Sequence, residues 1–302
     1  MRFLIRLIII CVLYVPYKYF LWKNNPFLVD LFVATGVFAI AEIVDRMVFG
    51  KIKSETYALY IKEIKSFLSS QIGYITIGVF ITLIGLFLWI IPSESGGANI
   101  LDNGYANIEP LFYIAPWVYL ILIPAITMRS FSEEKKNGTI ELLLTRPLTD
   151  LQIVLAKYLA GLTLVLISLL PTLIYYYSVH ALVAQKINGV DTGAMWGSYT
   201  GLFFLGAGFV AIGIFASAIA ENQVIAFILA LLLCLFAYIG FEFIAESGVF
   251  GKNGLFFKKL GITDHYLSMS RGLIDTRDLI YFISVIVIFN LLTKLVLEKR
   301  KW

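Results

Sequence analysis

Val224 to Ala245 reads VIAFILALLLCLFAYIGFEFIA, 22 residues that carry a single charge, Glu242. About 20 predominantly apolar residues in a helix cross the hydrocarbon core of a bilayer. In lipid only a helix or a closed barrel satisfies its backbone polar groups. The stretch therefore predicts a membrane-spanning helix. Outward from it, Ala220-Glu221-Asn222-Gln223 is a very short turn, and Ser198 to Ile219 before it is a second apolar run. Gln71 to Ile91, Leu111 to Thr127, Leu151 to Tyr177 and Leu279 to Leu297 repeat the pattern. The expectation is an all-α, polytopic helical membrane protein with a core of six passes.

Composition agrees. Of 302 residues, 60% are hydrophobic and 15% charged, against about 45–50% and 25% in soluble domains. A net charge of +4 is too small to point to nucleic acid, and the basic residues cluster at segment ends, where topology places them. Cys11 and Cys234 lie in apolar segments far apart and predict neither a disulfide framework nor a metal cluster. His180 and His265 are solitary and read as loop residues.

Ahead of the six passes, Leu4 to Leu21 and Phe27 to Phe49 predict a helical hairpin within residues 1–50. No A-x-A site follows the first of them, so it reads as uncleaved. Lys51 to Ser70 is too polar to span. Ala58, Leu59, Ile61, Ile64, Phe67 and Leu68 recur there at helical spacing opposite Lys62, Glu63 and Lys65, which predicts a helix lying in the interface. With that helix cytoplasmic, most Lys and Arg of the short loops fall on the same side and both termini point inward. Trp89, Trp117 and Trp196 then fall at the opposite boundary, which amphipathic indoles favour.

One loop differs from the rest. Met128 to Asp150 reads MRSFSEEKKNGTIELLLTRPLTD. Glu133, Glu134, Lys135 and Lys136 form a charged stalk, and Asn137-Gly138 breaks it. Thr139 can cap a short helix with Glu141, Ile140, Leu142, Leu143 and Leu144, and Pro147 stops it. A helix with an apolar stripe and no core of its own rests on lipid headgroups or needs a groove in a partner.

Glu133 to Tyr158, as EEKKNGTIELLLTRPLTDLQIVLAKY, resembles the ABC-2 type permease family, and within it the gliding-motility-associated permease subunit GldF of Bacteroidetes. Ile72-Gly73-Tyr74, Gly85 to Trp89, Ala115-Pro116-Trp117, Ile123 to Phe131, Ser270-Arg271-Gly272, Asp278 to Phe282 and Lys294 to Trp302 carry the same likeness. It covers about Thr56 to Trp302, with residues 1–55 a lineage-specific addition or a misassigned start. The resemblance implies an interfacial helix at 51–70 and a six-helix permease domain at 71–302 in the inner membrane. It implies that 128–150 is a coupling segment on a separate ABC ATPase, with Glu133, Glu134, Lys135, Gly138, Thr139, Glu141, Leu142 and Pro147 as its coupling residues. ATP and Mg would then sit on that partner, and none in this chain. An auxiliary membrane or periplasmic subunit and a homodimer or heterodimer of permease chains are further implied partners.

This chain has no G-x-x-x-x-G-K-[ST] loop, no Ser/His/Asp constellation and no metal-ligand spacing, so it reads as no enzyme and as having no metal site. Glu242 and Glu246 share a helix face and either meet cargo in a pathway or reach interfacial water. Pro124 and Pro171 predict kinks. Gly201, Gly206, Gly208 and Gly213 predict close helix approach, within the subunit or across a dimer. Residues 248–277 predict two short amphipathic helices, resembling the outer hairpin that precedes the last helix of such permeases. An exporter of another cargo (drug, glycan, lipid or copper-maturation type) and a non-transporting membrane anchor regulated by an ATPase are the alternatives.

Overall fold

The computed structural model describes residues 54–92, 99–102, 108–141, 148–182, 191–247 and 254–299. The hairpin expected at 1–50, Cys11, Leu142, Pro147 and the start of the outer hairpin at 248–253 lie outside them. The described residues are helical, with turns between. In chain order they form α1 (Ser54–Ser69), α2 (Gln71–Trp89), α3 (Glu109–Thr127), α4 (Arg129–Lys136), α5 (Asp150–Leu169), α6 (Leu173–Leu182), α7 (Thr192–Ile219), α8 (Gln223–Leu235), α9 (Phe241–Glu246), α10 (Gly254–Lys258), α11 (Ile262–Ser270) and α12 (Thr276–Glu298). Five stretches are long and apolar enough to cross a membrane: Glu109–Lys136, Asp150–His180, Thr192–Ile219, Gln223–Glu246 and Thr276–Glu298. A sixth is reached when α1 and α2, bent by 64° at their junction, count as one broken span. The 19 residues of α2 measure about 28 Å at 1.5 Å per residue, close to the hydrocarbon thickness.

Local chemistry sets the boundaries. The Ser70 hydroxyl accepts from Gly73 N at 3.2 Å and starts α2. Thr149 and Gln152 form a reciprocal capping box that starts α5. Asp191 Oδ1 accepts from Gly193 N and Ala194 N at 2.9 and 3.1 Å, so α7 begins at Thr192, ahead of the Ser198 start read from hydropathy. Asn222 caps α8. Pro171 sits in a 3-10 turn, Leu170–Thr172, between α5 and α6, because its ring and missing N–H break the α ladder. Pro116 and Pro124 stay inside a continuous α3. His180 lies on α6 and His265 on α11; both are helical residues, where isolated polar residues between apolar runs had suggested loops.

α7 is the centre of the bundle, packed against α3, α5, α8, α11 and α12. Its small residues permit that. An added Cβ would lie 2.0 Å from Thr127 Oγ1 at Gly213, 2.7 Å from Met269 Cβ at Gly201 and 2.8 Å from Val165 Cγ1 at Gly206. Those close approaches are within the subunit, whereas Gly208 meets its neighbour, Val285, at an ordinary 4.0 Å. Of its most apolar window 78% is buried, against 22% for α8–α9 and 17% for α12, so these last two spans turn most of their apolar surface away from the bundle. Between α8 and α9 the chain takes a π turn, Phe236–Gly240. α1 presents Leu59, Tyr60, Glu63, Ile64 and Phe67 to the bundle, with Phe67 against Ile126 of α3 and Leu164 of α5.

Candidate functional site

α3 passes into α4 without losing its helical course, since Met128 between them keeps αR geometry, so Glu109–Lys136 is one 28-residue helix whose last two turns are the charged stalk. The start of α4 has no cap of its own. One arrives from the end of α7. Ser217 Oγ accepts the backbone N–H groups of Phe131 at 3.0 Å and Ser132 at 3.1 Å, and donates to Met128 O at 2.9 Å. α4 returns the contact. Lys135 Nζ donates to Ala218 O and, at 3.0 Å, to Ala220 O, carbonyls at the C-terminus of α7. A helix end leaves carbonyls unpaired and carries partial negative charge, so an ammonium there serves as donor and counter-charge together. Two helices more than 80 residues apart thus cap each other.

The other face of the stalk holds a buried charge cluster. Lys157 stands two turns into α5, with 1% of its side chain exposed. Its Nζ lies 3.0 Å from Glu63 Oε1 of α1, 3.0 Å from Glu134 Oε1 of α4 and 2.6 Å from Ser130 O, and 5.0 Å from the centroid of the Phe131 ring. Lys62 approaches both carboxylates from solvent at 3.6–3.7 Å. An isolated ammonium buried to this degree costs several kcal/mol. Two carboxylates and a carbonyl around one cation offset that cost, and they tie α1, α4 and α5 at a single atom. Tyr60 OH, 2.9 Å from Thr163 Oγ1, adds a second tie between α1 and α5.

Among the coupling residues expected from sequence, Glu134 and Lys135 therefore turn inward to the chain's own helices. Glu133 pairs with Arg129 one turn earlier, at 2.8 Å. Gly138 takes a left-handed φ of +68° and ends the stalk. The Thr139 hydroxyl donates back to Glu134 O at 3.3 Å, and Ile140 and Glu141 after it are helical. Lys136, Asn137, Gly138, Thr139 and Glu141 form an exposed rim. Glu63, expected on the polar face of α1, lies on the packed face, because Lys157 meets it there. A lysine well inside an apolar run and a glutamate one turn from Leu59 and Phe67 were the available signals for this cluster.

Glu242 and Glu246 are not part of that arrangement. They lie on α9, Glu242 half-buried and Glu246 exposed, at the far end of the bundle. There α10 and α11 fold back onto the spans. Tyr266 OH donates to Phe112 O of α3 at 2.5 Å, Ser198 Oγ of α7 to Ser270 O at 2.7 Å, and the Thr263 hydroxyl to Tyr238 O in the π turn. Burial pushes the Tyr266 phenol well above its usual range, so it stays a donor. His265 stacks on Tyr281 at 3.9 Å and bridges Asp278 Oδ1 at 2.7 Å and Lys259 O at 2.9 Å. Hydropathy gave no sign of that bridge. Among the described residues no His, Cys, Asp and Glu group could hold a metal ion.

A family model described as ABC-2 family transporter protein matches residues 3–301. No curated protein matches the chain. The match starts at residue 3, so the family likeness takes in the N-terminal stretch that sequence reading set apart from the permease core. It makes the chain the membrane-transport component of an ABC transporter, working with an ABC ATPase.

Proposed function

The chain belongs to the ABC-2 transporter family, and on that premise we propose that it is the permease half of an exporter in which residues 128–150 receive the stroke of a separate ATPase. The observation that carries this reading is the stalk, held by ion pairs and reciprocal caps to α1, α5 and α7, with its tip at 136–139 exposed to a partner. A segment built to hang loosely on headgroups has no use for three buried tethers. ATP and Mg bind the partner. The stalk end is cytoplasmic, with both termini on that side of the inner membrane, and the folded-back hairpin faces outward. The apolar faces of α8–α9 and α12, turned from the bundle, meet lipid or a second permease chain. The likeness of Glu133 to Tyr158 to the gliding-motility permeases favours a gliding role and an auxiliary subunit.

Charge reversal on the exposed rim tests this. Lys136→Glu together with Glu141→Lys should abolish co-purification of the ATPase while membrane insertion and thermal stability stay as in the parent chain. Unchanged capture of the ATPase would place the docking surface elsewhere.

A further inference from the structure

The Glu109–Lys136 helix and α7 lie side by side and are fastened at three levels. At the stalk end, Ser217 and Lys135 exchange caps. Midway, Gly213 lets Thr127 in and Gly206 lets Val165, Ile123 and Tyr119 approach. At the far end the α10–α11 hairpin bridges the pair: Tyr266 holds α3 through Phe112 O, and Ser270 O takes the Ser198 hydroxyl of α7. The contact is tighter still at Gly197, where an added Cβ would stand 2.5 Å from Gly272 O. Gly272 itself has φ +85°, a conformation in which only glycine is at ease.

We propose that these two helices act as one strut that carries movement of the stalk across the membrane to the α10–α11 hairpin, with Ser217 and Lys135 as the positioning residues that lock the stalk to α7. This rests on the coupling reading above. α7, with 28 residues, reaches about 42 Å at 1.5 Å per residue, long enough to join the two ends. Without the exchanged caps the stalk would keep its ties to α3 and, through Glu134 and Ser130 O, to Lys157 of α5 but lose its polar tie to α7, and the hairpin, gripping both helices, would be sheared instead of carried. With them, displacement at the rim 136–141 is displacement of both struts. Packed interfaces of this kind shift between discrete arrangements and do not deform smoothly.

Hydrogen–deuterium exchange on the full chain in nanodiscs, alone and with its co-purified ATPase, tests the strut. Lys135→Met and Ser217→Ala should speed exchange of the 262–270 amides at the opposite end by about tenfold, the scale of one lost hydrogen bond. Lys135→Arg, which can reach the same carbonyls, should restore the parent pattern. Tyr60→Phe, which loosens α1 from α5 but not the strut, should leave 262–270 unchanged. In the complex, Mg-ATP with orthovanadate should alter exchange at 262–270 in the parent chain and not in Ser217→Ala, although both bind the ATPase. Faster exchange confined to 129–136 and 217–220, or an equal nucleotide response in both chains, would overturn the proposal. If the parent chain captures no ATPase, the coupling reading fails by itself, and the nucleotide-free comparison still decides the strut.

Discussion

Lys157→Met removes the buried cation and leaves the Glu63 and Glu134 carboxylates with Lys62, which reaches them from solvent at 3.6–3.7 Å. At 3.0 Å each, the two attractions are worth about 5 kcal/mol apiece at an effective dielectric near 20, before any desolvation cost is charged against them. The net loss on breaking such a buried pair by removing one partner is about 3–5 kcal/mol. Ser130 O and the Phe131 ring lose their contact with the ammonium as well. A chain of this size should unfold roughly 6–20 °C lower. Scanning fluorimetry of purified chain in nanodiscs reads the shift directly. The decisive comparison is Lys157→Met combined with Glu63→Gln and Glu134→Gln, which removes charge from all three positions. If stranded charge causes the loss, the triple variant regains most of the midpoint, since well-packed neutral groups in place of a buried ion cluster are often no less stable. A parent-like midpoint in Lys157→Met, or a triple variant less stable than the single one, would refute the reasoning.

Other consequences follow from single positions. Gly213→Ala drives a methyl into Thr127 Oγ1, 2.0 Å away, and should cost about 1–3 kcal/mol as overpacking; Thr127→Gly should relieve part of it in a double-mutant cycle of thermal midpoints. Gly138→Ala forces an L residue into φ +68° at about 1–2 kcal/mol and should weaken ATPase capture while leaving exchange at 129–136 intact. Among the described residues nothing donates to the buried Asn290 side-chain oxygen, so Asn290→Leu should raise the midpoint, and a lower midpoint would show that the amide is held by something further. The backbone N–H of Arg277 holds the Asp275 carboxyl, the cap of α12, below the usual range. A depressed acid stabilises the fold above its unfolded value and loses that as pH falls through the folded one. Asp275→Asn, which keeps the cap, should therefore blunt the acid sensitivity of amide protection at 276–279.

The spans were legible because each depends on one local quantity, apolar length; the cap at Ser70 falls where α2 was expected to start, and those at Asp191 and Asn222 begin α7 and α8 earlier, at Thr192 and Gln223. The exposed break at Gly138 was legible for the same reason, since Asn-Gly is a local signal. The tethers were not. Lys157 and Glu63 are 94 residues apart, Ser217 and Phe131 86 apart, and nothing in either neighbourhood names the other. Lys157 counts in sequence as one more basic residue near a span's end, and Ser217 as a small residue in a helix of small residues. What sequence does hold is the unfavourable half of each pair. A lysine two turns inside an apolar helix and a glutamate on an apolar stripe each predict a cost that something must offset. In a bilayer, where water cannot satisfy them, such residues mark where a distant helix has to arrive. The stalk meets Lys157 through Glu134 and Ser130 O and Ser217 through the N–H groups of Phe131 and Ser132, which is why the tie to the membrane helices concentrates there and leaves the exposed rim beyond Lys136 to a partner.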